Sequence, residues 1–156
     1  MKKLKPEIIQ FFQNQGCVVV STLDHKGFSH SSCKGIVKIG AGGKIYLLDL
    51  YHAETYRNLK RNPRISITAF DEHKFRGYCL KGKAKIIRKD KLKPEIIKAW
   101  EDRITSRITQ GLLKNIREER GHPAHPEALL PKPKYLIVMN VETVVDLTPP
   151  VLKEEV

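Results

Sequence analysis

Cysteine, tryptophan and long apolar runs are all scarce in this sequence, and each shortage excludes something. The three cysteines, Cys17, Cys33 and Cys79, stand far apart and form no Cys-x-x-Cys pair. That argues against a disulfide framework and against a cysteine-built structural zinc site. No apolar stretch approaches the roughly 20 residues a membrane-spanning helix needs. The basic start, Met1 to Glu7, leads into no long apolar region and no small-residue cleavage site, so no secretory signal is expected. A Gly-x-Ser-x-Gly elbow, a Walker A loop and a Gly-x-Gly-x-x-Gly turn are all missing. With them go the signatures of serine hydrolysis and of nucleotide cradles. The expectation is a reduced, cytoplasmic protein with no membrane partner.

What is present is an ordinary globular balance. The chain has 156 residues, 40% apolar and 29% charged, which suits a single domain over residues 1–156. Its 29 Lys and Arg outnumber 17 Asp and Glu, for a net +12. The excess is local. The first hundred residues hold 21 basic and 8 acidic side chains, whereas the last 56 hold 8 and 9. A basic half welcomes anions without saying which: nucleic acid, an anionic membrane surface or a phosphorylated small molecule, the plain alternative being a solvated basic surface.

The local patterns predict six strands and a few helices. Leu4 to Asn14 reads as a helix with Pro6 in its first turn. β-Branched Cys17 to Leu23 reads as a strand, the Asp24 to Gly27 turn follows, and Phe28 to Ile39 is a second strand. Gly40 to Lys44 lies between two strand patterns, which makes it a hairpin turn and not a phosphate loop. Ile45 to Asp49 is a short strand, His52 to Arg61 a short helix, and Arg64 to Phe70 another strand.

Gly77 to Arg88 has the clearest two-residue period, with Tyr78, Leu80, Gly82, Ala84 and Ile86 on one face. Lys81, Lys83 and Lys85 lie on the other. Lys91 to Glu119 is a helical stripe, with Ile96, Trp100, Ile104, Ile108, Leu112 and Ile116 four residues apart and Gly111 a candidate break. A proline-rich connector precedes the last strand, Tyr135 to Leu147. Leu4-Lys5-Pro6-Glu7-Ile8-Ile9 recurs as Leu92 to Ile97, and the shared feature is a helix entrance. The sum is a mainly β fold with added helices. It is a six-stranded antiparallel barrel with an N-terminal helix and a helical insertion, about 91–133, before the last strand.

Few residues carry chemistry. His122 and His125 are spaced like metal ligands, but flanking prolines and the lack of a completing Cys or carboxylate cluster argue against a metal. Asp49 to Pro63 is more informative, because it sets a strand end, a loop and a helix start in order. Thr55 and Arg57 fall in that helix's first turn, where backbone N–H groups, a hydroxyl and a guanidinium suit a phosphate monoester. On the second strand Ser32 and Lys34 share one face, Ser31 and Cys33 the other.

The order of these pieces resembles the FMN-binding split barrels of the pyridoxamine 5′-phosphate oxidase-like family. The matching pieces are Val18 to Asp24 with Gly27, His30 with the Ser/Cys/Lys strand, Lys44 to Asp49, Thr55 to Pro63, and Gly77 to Ile87 with Gly82 and Ala84. They cover roughly residues 5–90 and again 135–147. The resemblance implies a split barrel and a homodimer with FMN between subunits. It also implies an FMN-dependent oxidoreductase acting on a small molecule, with NAD(P)H as a candidate electron donor. Carried over, it assigns cofactor binding to Ser32, Cys33 and Lys34, to Asp49, and to Thr55, Arg57 and Asn58. No catalytic acid or base is assigned, since the flavin carries the redox chemistry. The family's true oxidases have an Arg-containing motif near the C-terminus, whereas only Lys153 is basic after Lys134 here.

Two rival readings remain. One is a basic barrel binding RNA or single-stranded DNA along Lys81, Lys83 and Lys85, with Tyr78 nearby. The other is the same fold holding a deazaflavin or haem.

Overall fold

The computed structural model describes residues 2–49, 53–116 (backbone alone over 107–116) and 134–153. The expectations for His52, His122, His125, the Ile108 to Ile116 side chains, the proline-rich connector and the last three residues lie outside them.

Six strands form one closed antiparallel barrel in the order β1-β2-β3-β6-β5-β4. They are β1 (Val18–Leu23), β2 (Ser29–Ile39), β3 (Lys44–Leu48), β4 (Arg64–Asp71), β5 (Arg76–Arg88) and β6 (Tyr135–Asp146). Among the described residues three α-helices accompany them: α1 (Pro6–Gln13), α2 (Glu54–Arg61) and α3 (Pro94–Ile116). The expected six-stranded barrel with an N-terminal helix and a helical insertion is therefore what forms. α3 runs unbroken through Gly111.

Alternation builds the core. Val18 and Val20, Ile45 and Leu47, Ile65 and Ile67, Tyr78 and Leu80, and Ile137, Met139 and Val141 all point inward. Gly82 is required where β5 meets β6. A Cβ there would lie 2.0 Å from the Asn140 carbonyl oxygen, at a register shift between Lys81 and Gly82. The Gly40 to Gly43 turn is a hairpin, with Gly43 at φ +80 and the chain start hydrogen-bonded across it through Leu4.

The two copies of the Leu-Lys-Pro-Glu-Ile-Ile segment start helices in the same way. Lys5 and Lys93 each accept the N–H groups of two following isoleucines, and Pro6 and Pro94 open their helices. Their destinations differ. Ile8 and Phe12 of α1 join the barrel core, while Ile96 and Trp100 of α3 pack on the outer wall against Leu48 and Leu136.

Candidate functional site

The inward face of β2, in register with core residues Val18 and Val20, meets the start of α2. His30, Ser32 and Lys34 are partly covered there, while Ser31 and Cys33 are exposed on the opposite wall. The strand's two-residue period decides this, so Ser32 and Lys34 come together and Cys33 is excluded from them.

Ser32 and Lys34 each have a side-chain partner. The Ser32 and Thr55 hydroxyls lie 3.1 Å apart. The Lys34 ammonium donates to Asp49 Oδ1 at 2.7 Å, with only 8% and 4% of the two side chains exposed. Asp49 Oδ2 accepts the Tyr135 phenol at 2.6 Å. Both carboxylate oxygens of Asp49 are thus engaged. His30 lies within electrostatic reach of Glu54.

α2 supplies the second wall. Its buried face is Thr55, Asn58 and Leu59, the i, i+3, i+4 set that shares one side of a helix. Ala53 at the N-cap supplies no side-chain cap, so the first-turn N–H groups have no side-chain acceptor from the cap. Asn58 donates to Thr22 Oγ1 at 3.1 Å and accepts from Arg61. It ties α2 to β1. Arg57 projects outward with its side chain 60% exposed and holds Glu54 through two hydrogen bonds, at 3.0 and 2.7 Å. That guanidinium, helped by Arg61 and His30, holds the Glu54 carboxyl below the usual range.

Four of the seven sequence candidates, Ser32, Lys34, Asp49 and Thr55, therefore sit side by side. Asn58 is used within the fold, Arg57 diverges from Thr55, and Cys33 lies on the far wall. Sequence reasoning missed Tyr135, Tyr56, Glu54 and Arg61. Only β3–β6 pairing, Leu48 opposite Leu136, brings Tyr135 to Asp49.

Burial, with the hydrogen bond to Asp49 and its charge, pushes the Tyr135 phenol far above the ordinary value of about 10. A raised folded-state pKa means that the phenol's contribution is complete below about pH 10 and is lost as pH rises above it. Wild type should therefore lose stability above pH 10 more steeply than Tyr135→Phe. Chemical denaturation at pH 9 and pH 11 measures the difference, and parallel curves would refute it.

Residues 4–144 match the family model described as pyridoxamine 5′-phosphate oxidase. The chain belongs to that family. Family membership fits the barrel order and the polar wall between β2 and α2. Solved structures of similar fold include HupZ of Group A Streptococcus, at 18% identity with 93% and 94% of the two chains covered and a TM-score of 0.64. A general stress protein 26-related protein of the pyridoxinephosphate oxidase family from Clostridium acetobutylicum is 15% identical, with 94% of each chain covered and a TM-score of 0.56. HutZ, the haem storage protein of Vibrio cholerae, is 18% identical, with 92% and 94% covered and a TM-score of 0.54. No curated protein sequence matches the chain.

Within the family frame, the late basic residue Lys153 is held by Asp146 at 3.2 Å. Among the described residues no group of His, Cys, Asp and Glu is placed to hold a metal, and no helix is long and apolar enough to cross a membrane. Tyr78 is 5% exposed inside the barrel, so it offers no stacking surface beside Lys81, Lys83 and Lys85.

Proposed function

We propose that this chain is an FMN-binding oxidoreductase of the pyridoxamine 5′-phosphate oxidase-like type. It would act as a homodimer on a small molecule, in the cytoplasm. The observation that carries the reading is the pair of hydroxyls, Ser32 and Thr55, 3.1 Å apart at an α2 start whose N-cap, Ala53, has no capping side chain.

That donor set fits a phosphate monoester. Helix-start N–H groups and hydroxyls donate to phosphate oxygens, and the positive end of the helix dipole favours the charge. Lys34 adds a positive charge one strand period from Ser32, fixed in place by Asp49. In this reading Ser32 and Thr55 bind the FMN phosphate, and the Lys34–Asp49–Tyr135 set keeps the wall behind it rigid. Bound flavin supplies the electron-transfer chemistry, with NAD(P)H as the candidate donor. The structural likeness to HutZ makes haem the competing cofactor, and a deazaflavin would use the same donors.

The cofactor is identified by the absorption spectrum of the purified protein and by acid release of its chromophore. The site is tested by titration. Ser32→Ala and Thr55→Val should each weaken FMN binding by about 1.5–3 kcal/mol, the range for hydrogen bonds to a charged group. Riboflavin, which lacks the phosphate, should bind both variants as it binds wild type. Equal losses for FMN and riboflavin would remove these hydroxyls from a phosphate site.

A further inference from the structure

The outer wall of β5 carries three lysines for which the cofactor site has no use. Lys81, Lys83 and Lys85 alternate with covered residues, so all three point to solvent, about 7 Å apart along the strand. Arg64 of β4 stands directly opposite Lys83 and is exposed as well. Like charges facing each other across a strand pair cost stability, so folding does not account for this row. Among the described residues the only carboxylate paired with it is Glu142, 4.0 Å from Lys83.

Hydroxyls flank the row. Ser66 and Thr143 are the cross-strand partners of Lys81 on its two sides. The large apolar side chains that the described surface exposes lie elsewhere, the nearest along these strands being Phe70 and Phe75 at the β4–β5 turn.

These surroundings select the partner. Single strands are held by bases stacked on aromatic rings, and a lipid surface by an apolar face that enters it. The lysine wall offers neither. A duplex backbone needs only Lys, Arg and Ser/Thr contacts. The major groove of B-DNA is read by a projecting helix or ribbon, which a barrel wall does not supply. The wide, shallow minor groove of A-form RNA, displaying 2′-hydroxyls beside the phosphates, suits a broad wall.

We propose that the outer wall of β5 binds double-stranded RNA by its backbone, without sequence preference. Lys81, Lys83, Lys85 and Arg64 meet phosphates, and Ser66 and Thr143 meet 2′-hydroxyls. This goes beyond the proposed function and does not rest on it, since Ser32 and Thr55 lie on β2 and α2.

A fluorescein-labelled RNA duplex of about 20 base pairs, longer than one compact domain covers, is titrated with the full chain at a series of KCl concentrations, following polarisation. Binding should weaken steeply with salt. Lys81→Gln with Lys83→Gln and Lys85→Gln should lower affinity at least tenfold and reduce the salt slope by about three, one for each lysine. Lys5→Gln with Lys26→Gln and Lys74→Gln removes the same charge from exposed positions off this wall and should leave affinity within threefold. A duplex of scrambled sequence should bind equally, and FMN affinity should be the same in both triple variants as in wild type.

Equal losses in the two triple variants would reduce the wall to bulk charge and overturn the proposal. So would failure to bind the duplex, tighter binding of its separate strands or of the matching DNA duplex, or equal competition by polyglutamate at matched charge. Loss of FMN together with RNA in the β5 variant would place these lysines in the cofactor site and overturn a separate surface. RNA binding of the expected kind by a protein that ignores FMN overturns the flavin reading alone.

Discussion

Asp49→Ala is expected to destabilise the fold by about 3–5 kcal/mol, the usual cost of removing one partner from a buried ion pair. Asp49 is 4% exposed and accepts from both Lys34 and Tyr135. Its loss leaves an ammonium and a phenol in the wall without their acceptor. The exposed pair Lys38–Glu95, at 3.7 Å with 43% and 64% of the side chains exposed, is worth less than about 1 kcal/mol by comparison. Tyr135→Phe should cost about 1 kcal/mol, because the Lys34–Asp49 pair survives it. Replacing both ions, Lys34→Met with Asp49→Leu, should recover most of the loss, since the penalty comes from the stranded charge and not from a missing attraction. Urea unfolding of the three variants beside wild type measures the series. A loss below about 1 kcal/mol for Asp49→Ala would mean that water reaches Lys34. A normal unfolding curve with lost FMN affinity would return Asp49 to the role of cofactor contact.

The barrel is legible because its signals are local. The alternation in Gly77 to Arg88 states which residues face inward, and the Gly40 to Gly43 turn states that β2 and β3 are a hairpin. The repeated Pro-Glu-Ile-Ile segment marks both helix entrances. The site is only half legible, for reasons of phase and distance. Thr55 and Arg57 share a first turn, but residues two apart on a helix are about 200° apart around its axis, so one faces Ser32 and the other solvent. Cys33 fails for the equivalent reason on a strand. Asp49 stands 15 residues from Lys34 and 86 from Tyr135, and only strand pairing brings them together. Asn58 illustrates a third limit. A buried amide that ties α2 to β1 has the same letter in the sequence as one that binds a ligand.

Trp100→Ala is expected to release α3 while the barrel stays folded. Trp100 is 3% exposed in a cluster on the outer wall with Ile96, Leu48 and Leu136. This cluster is separate from the barrel core. Truncating a buried tryptophan costs about 3–5 kcal/mol, and the Lys89 contact over its ring adds a smaller loss. A satellite cluster with four buried members cannot hold a helix against that loss. The global transition can fall only by the docking free energy of α3, because beyond that point the barrel unfolds from an already undocked state. Hydrogen exchange should therefore show α3 amides losing protection while β1 and β4 keep theirs. Ile67→Ala, at a fully buried barrel position, should instead lower protection everywhere, by about 2–5 kcal/mol. Uniform loss in Trp100→Ala would make α3 part of the barrel's own cooperative unit.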